Sequence, residues 1–344
     1  MPQQLEPLYG KSLSQLRDIC DAQKLPKFAA KQIANWLYSK HTLTIDEMTN
    51  LSVKGREQLK QSFCVGRYAP IKVSEATDGT KKYLFETSGG NTIESAYIPD
   101  EDRATLCVSS QVGCRMGCTF CATGRMGLKA SLTTNEILNQ VASLPEFDRL
   151  TNLVFMGMGE PLDNMDSVLA AIEILTSEWG YGWSPYRITL STAGVGRELR
   201  RFLDSTSVHV AVSLHNPYSD ERAEIMPIER AYPIAEIVSI LREYDFTRQR
   251  RVSFEYILMS GKNGSPHHIR ELCRLLNGLK CRLNIIKFHK IPDSPYFSPS
   301  DDKIIRFRDT LTEKGIHTTI RRSRGEEIGA ACGLLSTKES GGAN

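Results

Sequence analysis

The sequence predicts an α/β fold: a partial parallel (βα)6 barrel with an N-terminal helical domain and a small antiparallel β extension. Three observations predict it. Apolar residues recur at helical spacing in residues 1–65, short alternating runs with turn signals follow in residues 66–100, and a strand, a loop and a helix repeat through residues 101–336. Six such strand–helix units favour a parallel sheet with helical crossovers. The 344 residues suffice for one large domain with a smaller one beside it.

The N-terminal domain begins with two predicted helices, over residues 12–24 and 27–40, which Pro26 separates. Both segments place apolar residues three or four positions apart. Thr44-Ile-Asp-Glu47 then has the form of a capping box, in which a Thr side chain and a Glu three residues later satisfy backbone N–H groups. We therefore expect a third helix to begin at this point.

The β extension is predicted from three short alternating runs, over residues 72–76, 82–87 and 92–98. Asp78-Gly79 and Gly89-Gly90 separate these runs, and such dipeptides are typical of tight hairpin turns. The pattern predicts a small antiparallel sheet.

The barrel is predicted from alternating strand and helix segments. The strands are expected at residues 105–109, 152–156, 187–191, 209–214, 251–259 and 282–288, with an extra strand at 316–321. The helices are expected at residues 133–143, 165–177, 196–204, 233–244, 266–276 and 300–314, the first of them opened by a capping box at Thr133-Thr-Asn-Glu136. Residues 337–344 are polar and rich in Gly, so we expect a disordered tail.

Composition favours a water-soluble enzyme of the cytoplasm. Hydrophobic residues make up 40% and charged residues 24%, no apolar run reaches transmembrane length, and the N-terminus has no signal-peptide pattern. We therefore expect no membrane association, and nine cysteines kept reduced for a metal or for catalysis.

The positive charge is unevenly distributed along the chain. Between Phe246 and Arg324 there are 17 Lys and Arg against 7 Asp and Glu, although the net charge of the whole chain is only +3. Clusters such as Arg248/Arg250/Arg251 and Arg321/Arg322/Arg324 can follow a phosphate backbone. The alternative is an ordinary solvated face with salt bridges.

Three cysteines with the spacing CxxxCxxC are the strongest chemical signal in the chain. Cys114, Cys118 and Cys121 can hold three irons of a [4Fe–4S] cluster, and no fourth cysteine lies nearby on the C-terminal side. The remaining iron would be open to a small molecule, which points to S-adenosylmethionine and radical chemistry. The alternatives are a zinc site, for which neither His41 nor His209 has the right spacing, and three unrelated buried thiols.

Further polar residues follow the predicted strands at their carboxyl ends. Residues 157–161 (Gly-Met-Gly-Glu-Pro) follow the second strand, 191–194 (Ser-Thr-Ala-Gly) end the third, 213–215 (Ser-Leu-His) close the fourth, and His289 follows the sixth. Each alone is more often a turn or a satisfied polar residue. Because active sites of βα barrels lie on the loops at this end, we expect them to meet at one mouth.

Several of these segments together resemble one family, the radical S-adenosylmethionine adenosine-C2 RNA methyltransferases. The run 106–124, which carries the three cysteines, is similar to the cluster-binding segment of that family. The other similar segments are 30–33, 47–51, 155–162, 188–194, 212–217 and 324–333, so the resemblance covers nearly the whole chain.

The resemblance implies a radical S-adenosylmethionine barrel whose cofactors are a [4Fe–4S] cluster and S-adenosylmethionine. It implies methylation of C2 of adenosine 2503 in 23S rRNA and, in some members, of adenosine 37 in tRNA. We expect residues 1–65 to serve as an accessory RNA-binding domain. We also expect a reducing electron donor, such as flavodoxin or ferredoxin, and a monomeric protein.

The resemblance also implies roles for single residues. Cys332 corresponds to the cysteine that becomes S-methylated, Cys107 to the one that forms a transient disulfide with it, and Glu94 to the proton acceptor. Without the resemblance, Cys107 reads as a small buried hydrophobe and Glu94 as a solvent-facing strand residue.

The implied S-adenosylmethionine contacts lie on the predicted barrel mouth. Gly159 and Glu160 correspond to residues near the amino group of its methionine part. The ribose and carboxylate contacts correspond to Ser191, Ser213, Leu214 and His215. His289 stands where the family often has Asn, and His can still donate or accept a hydrogen bond there.

Three alternatives remain open at the level of sequence. The segment 121–124 (Cys-Ala-Thr-Gly) also occurs in C8-methylating rRNA relatives that confer antibiotic resistance, whereas Pro161 favours the C2 enzymes. The second alternative is a non-catalytic, metal-stabilised RNA-binding protein. The third is a radical enzyme that acts on a protein or a small molecule, which would have no need of the Cys107/Cys332 pair.

Overall fold

A ten-stranded mixed sheet forms the centre of the molecule. The computed structural model describes residues 5–246 and 251–336. The predicted tail at 337–344, together with Arg248 and Arg250 of the basic clusters, lies outside the described residues.

The N-terminal part is helical, as predicted. In chain order it contains β1 (Glu6–Pro7), α1 (Leu13–Ala22), α2 (Ala29–Tyr38), α3 (Val53–Lys60) and β2 (Phe63–Cys64). Strands β1 and β2 pair in parallel. Helix α1 begins with a capping box between Ser12 and Gln15.

The prediction of a helix that begins at Thr44 is wrong. Only a 3-10 turn forms there, over Ile45–Glu47, and α3 begins at Val53. The Thr44 hydroxyl donates to the Glu47 carboxylate (2.9 Å) instead of capping a backbone N–H. The cap of α3 is Ser52, whose Oγ accepts from the N–H of Gly55 (3.1 Å).

The predicted antiparallel strands are present as β3 (Lys72–Glu75), β4 (Lys81–Glu86) and β5 (Thr92–Asp100). Strand β5 pairs in turn with β6 (Arg103–Cys107), so the extension continues the sheet of the barrel. This pairing sets Ala96 directly opposite Cys107. It brings the predicted residue Glu94, on β5, to the barrel strand that ends at Cys107.

After β6, the chain makes a short hairpin before the barrel resumes. The hairpin contains β7 (Gln111–Cys114), α4 (Ala122–Arg125) and β8 (Gly127–Ser131). The later strands are β9 (Asn152–Phe155), β10 (Ile188–Thr192), β11 (His209–Ser213), β12 (Val252–Leu258), β13 (Cys281–Lys287) and β14 (Thr318–Ile320). They pair in parallel in this order, beginning with β6, which confirms the six predicted strands and the extra one.

Helices follow the barrel strands. They are α5 (Thr134–Ala142), α6 (Met165–Thr176), α7 (Gly196–Ser205), α8 (Ser219–Ile225), α9 (Ile234–Arg242), α10 (Pro266–Leu276) and α11 (Asp301–Glu313). The capping box between Thr133 and Glu136 is confirmed, whereas α8 was not predicted. None of the described helices has both the length and the apolar composition that a membrane span requires.

Polar and aromatic side chains join the N-terminal part to the barrel. The Asn135 amide, on α5, donates to the carbonyl oxygens of Tyr9 (2.9 Å) and Gly66 (2.8 Å). Tyr38 lies against Tyr181, with ring centroids 5.8 Å apart. These contacts join the N-terminal part to α5 and to the loop after α6.

Candidate active site

A glycine near the end of β7 shapes the start of the cysteine loop. Cys114 is the last residue of β7, and Cys121 immediately precedes α4. Gly113 has a φ of 75°, and a Cβ on it would lie 1.8 Å from the carbonyl oxygen of Gly127. Only glycine therefore fits beside Cys114 at this bulge in the hairpin.

All three cysteines face one cavity at the carboxyl ends of the barrel strands. The cavity is open to solvent and has a volume of about 150 Å³. Of the residues predicted at the mouth, five also line it: Gly159, Glu160, Ser191, Ser213 and His215; Cys332 lines it as well. The structure thus brings the cysteine loop and the motifs after β9, β10 and β11 to one mouth, whereas His289 lines a different cavity.

The electrostatics of the three thiols suit an iron–sulfur cluster. Burial raises the pKa of the Cys114 thiol to about 12, and it raises the pKa values of Cys118 and Cys121 as well. Each thiolate would also repel the others. Three such thiols ionise together only when a cation offsets their charge, and a coordinated thiol is deprotonated outright. The donor set therefore fits a cluster of iron ions.

Glu160 lines this cavity and is 3% exposed. Its carboxylate accepts hydrogen bonds from the Thr192 hydroxyl (2.7 Å) and from the backbone N–H groups of Ala193 (2.7 Å) and Leu162 (3.1 Å). Burial nevertheless raises its pKa to about 7. A buried carboxyl poised near neutral pH is well suited to receive a cation, such as the ammonium group of an amino acid.

His215 presents a neutral imidazole to the same cavity. Burial, together with the charge of Arg222, lowers its pKa to about 3. Its Nδ1 accepts from the N–H of Ile257 (3.0 Å), so the proton resides on Nε2, which is left as a donor. Leu214 is fully buried and does not line the cavity. Its N–H donates to the carbonyl oxygen of Glu255 (3.0 Å), which fixes the turn after β11.

The second pair of predicted cysteines meets in an adjoining cavity. Cys107 and Cys332 both line this second cavity, and Cys332 lines the first one too, so it lies where the two adjoin. Burial raises the pKa of the Cys107 thiol to about 12. All nine cysteines fall within the described residues, and each is a free thiol.

Comparisons with known proteins agree with this geometry. A family model of the radical SAM superfamily matches residues 108–276, and a model of the ribosomal RNA large subunit methyltransferase N-terminal domain matches residues 7–65. A probable dual-specificity RNA methyltransferase RlmN from Bacteroides fragilis (strain YCH46) is 55% identical over 331 residues, which are 96% of each chain. The chain belongs to the RlmN family of radical SAM RNA methyltransferases.

Further relatives support the same family. A dual-specificity RNA methyltransferase RlmN from Syntrophus aciditrophicus (strain SB) is 40% identical over 95% of both chains. The crystal structure of a radical SAM methyltransferase from Sphaerobacter thermophilus has a TM-score of 0.90 and 40% identity, and the match covers 96% of this chain and 99% of that one. The predicted fold class is confirmed. So are the predicted cofactors, because radical SAM enzymes use a [4Fe–4S] cluster and S-adenosylmethionine.

Besides Leu214 and Cys107, the structure places His289 and Glu94 away from the first cavity. His289 lines the second cavity, where its Nδ1 lies 3.1 Å from Glu326 Oε1 and its Nε2 lies 3.1 Å from Ser323 Oγ. Glu94 lines neither of these two cavities. It is buried, forms an ion pair with Lys82 (2.9 Å) and accepts from the N–H of Ser336 (2.9 Å). The reading of Glu94 as a solvent-facing residue is therefore wrong, and its role and that of His289 stay predictions.

Arg321 is a site residue that sequence reasoning placed elsewhere. It was counted with Arg322 and Arg324 as part of a basic surface, yet it lines both cavities beside Cys332. One signal in the sequence favoured this position. Arg321 directly follows the last strand, β14, and residues at the carboxyl ends of barrel strands face the active site.

Proposed function

We propose that the protein methylates C2 of adenosine 2503 in 23S rRNA and of adenosine 37 in tRNA. The reaction proceeds through S-methylcysteine on Cys332 and a transient Cys107–Cys332 disulfide. The observation that carries the proposal is the position of Cys332, between the cavity of the three cysteines and the cavity that contains Cys107. A non-catalytic RNA-binding protein would not need Cys107 and Cys332 to face one cavity.

The first cavity binds both cofactors in this proposal. Cys114, Cys118 and Cys121 hold the cluster, and Gly159 and Glu160 receive the amino group of S-adenosylmethionine. Ser191, Ser213 and His215 contact its ribose and carboxylate, and Leu214 positions that turn through its backbone. His289 lines the adjoining second cavity. When bound, the cluster and S-adenosylmethionine supply the radical that activates the methyl group.

The two thiols act in sequence. The Cys332 thiolate accepts a methyl group, whose carbon later becomes bonded to adenine. The Cys107 thiolate then attacks the Cys332 sulfur, so that an S–S bond forms and the bond from that sulfur to carbon breaks. The electron pair leaves with the carbon, which takes up a proton to become the methyl group of the product. Glu94 accepts the proton that the adenine ring gives up.

The remaining partners follow from the same proposal. An electron donor such as flavodoxin or ferredoxin reduces the cluster, and the protein acts as a monomer in the cytoplasm. The N-terminal helices assist RNA binding, together with the basic residues of the C-terminal half. The target base must leave its stack to reach the cavity, because C2 is inaccessible inside a helix.

Mass spectrometry of RNA from a deletion strain tests the methylation site. We expect 2-methyladenosine at position 2503 of 23S rRNA and at position 37 of tRNA in the parent strain, and unmodified adenosine at both in the deletion strain. Complementation with the wild-type chain should restore both marks, whereas the Cys332→Ala variant should restore neither. Appearance of 8-methyladenosine on complementation would overturn the C2 assignment in favour of the C8 relatives.

Glu160 predicts a pH dependence of S-adenosylmethionine binding. Only the carboxylate form attracts an ammonium group, and the pKa of Glu160 in the free protein is about 7. Binding should therefore weaken as the pH falls below this value, by about fivefold between pH 7 and pH 6. Equilibrium dialysis with cluster-loaded protein measures the affinity. Glu160→Gln should bind more weakly at pH 7 and show no such slope; an unchanged slope in this variant would contradict the assignment.

A further inference from the structure

Arg321 is inserted into the barrel where the two cavities adjoin. Its backbone N–H donates to the carbonyl oxygen of Ile285 (2.8 Å), which continues the pairing of β14 with β13. Its side chain lines both cavities, along with Cys332. A cation in this position faces the proposed methyl carrier and its partner thiol, Cys107, and the mechanism above gives it no role.

A row of hydrogen bonds across three neighbouring strands holds the guanidinium. Arg321 Nη1 lies 3.2 Å from Glu255 Oε2 and 3.1 Å from Met156 Sδ. Asn284 Nδ2 donates to Glu255 Oε1 (2.8 Å), and the Thr319 hydroxyl donates to Asn284 Oδ1 (2.8 Å). The strand register makes Glu255, Asn284 and Thr319 direct neighbours, so the row is a consequence of the sheet itself.

The charge of Arg321 acts on the partner thiol, Cys107. Burial raises the pKa of Cys107, whereas Arg321 acts in the opposite direction. The guanidinium is in turn paired with Glu255, and 32% of the Arg321 side chain is exposed. It is therefore the cation whose charge opposes the cost of ionising Cys107.

Other ionisable groups on the wall of the second cavity are His289, Arg322 and Arg324. His289 faces Glu326, and Arg324 is paired with Asp100 (2.9 Å). On the other side, Cys332 faces Cys121 of the cluster loop. None of these groups is held by a row of hydrogen bonds across neighbouring strands as Arg321 is.

We propose that Arg321 stabilises the thiolate form of Cys107, and that Glu255, Asn284 and Thr319 are positioning residues that hold its guanidinium in the cavity that Cys107 lines. The Cys107 thiol gives its proton to solvent as it ionises. The consequence for catalysis rests on the proposed function, because it is there that a Cys107 thiolate must attack the Cys332 sulfur. The ionisation itself does not depend on that function and can be measured without RNA.

Glutathione disulfide provides a chemical test of the thiol pair. The Cys332 thiolate attacks the reagent, forms a mixed disulfide and releases one glutathione. The Cys107 thiolate then attacks the Cys332 sulfur, which forms the Cys107–Cys332 disulfide and releases a second glutathione. The full-length, cluster-loaded protein is treated anaerobically over a range of pH, without S-adenosylmethionine or RNA. Peptide mass spectrometry gives the rate of disulfide formation and its pH midpoint.

We expect substitutions of Arg321 and of Glu255 to shift the pH midpoint of disulfide formation in opposite directions. Arg321→Met should raise the pH midpoint by about one unit or more, because the Cys107 thiolate loses a nearby cation. Arg321→Lys should restore most of the wild-type midpoint. Glu255→Gln should lower the midpoint, since the charge of Arg321 is then no longer offset by a carboxylate. A role in packing alone would not produce shifts of opposite sign.

Matched variants complete the experiment. Arg200→Met removes the same charge on α7, outside both cavities, where Arg200 is paired with Glu243, and should leave the midpoint unchanged. Thr319→Val keeps the side-chain volume but removes the last donor of the row, and should shift the midpoint less than Arg321→Met does. An unchanged midpoint in Arg321→Met, or an upward shift in Glu255→Gln, would overturn the proposal. Failure of the proposed function would appear separately, as unmethylated RNA from a protein with the wild-type thiol profile.

Discussion

Cys332→Ala should yield neither methylated RNA nor a covalent adduct, whereas Cys107→Ala should trap the enzyme joined to its RNA. The two cysteines line one cavity, yet only Cys332 also reaches the cavity with the three cluster cysteines. Cys332 can therefore receive the methyl group, and Cys107 can reach only the sulfur of Cys332. Without a second thiol, the thioether between protein and RNA has no route to release.

Denaturing gels with labelled RNA separate these outcomes. A shifted band that nuclease digestion removes should appear for Cys107→Ala alone, and the Cys332→Ala variant should retain its cluster. Cys281→Ala provides the control, because this thiol is also free but lies at the start of β13, outside both cavities. If both active-site variants methylated RNA as the wild type does, the two-thiol mechanism would be refuted.

The barrel could be predicted from the sequence because its strands are buried. Val210, Phe254 and Leu283 lie in the interior of β11, β12 and β13, and each is fully buried. Buried parallel strands read as continuous apolar runs, which the sequence displays clearly. The loops after these strands then had to face one mouth, whatever their individual sequences, and the convergence of the cysteine loop, Glu160 and His215 on one cavity followed.

Predictions from short local patterns were less secure. The capping-box pattern at Thr44 and the one at Thr133 look alike in sequence, but only the second opens an α-helix. At Thr44 the Glu47 carboxylate is held by the hydroxyls of Thr42 (2.7 Å) and Thr44 (2.9 Å), and the segment forms only a 3-10 turn before α3 begins at Val53. Tertiary packing, which a four-residue pattern does not contain, decides between the two.

Long-range contacts explain the residues that the sequence misplaced. Glu94 reads as an exposed strand residue, but it is covered by Lys82 on β4 and by the backbone of Ser336, more than 240 positions away. Arg321 reads as surface charge because two more arginines follow closely. Its inward position depends on Glu255, which is 66 positions away along the chain. Such partners become neighbours only when the sheet has formed.

Replacing Cys114, Cys118 and Cys121 together with alanine should abolish cluster binding and all turnover. The three thiols line the first cavity, and burial raises their pKa values, so they ionise together only when bound cations offset the charge. Anaerobically reconstituted wild-type protein should be brown and contain four irons per chain, whereas the triple variant should be colourless and free of iron.

The fold of the triple variant can be checked independently of its iron content. Alanine is small enough to replace a cysteine at these positions without a clash, so the secondary structure seen by circular dichroism should match that of the wild type. Replacement of Cys20, Cys64 and Cys273 together removes the same number of thiols outside both cavities, and that protein should keep its iron and its colour. Stoichiometric zinc without iron in the reconstituted wild-type protein would contradict the cluster assignment, because a single zinc ion completes a closed site and provides no electron for radical chemistry.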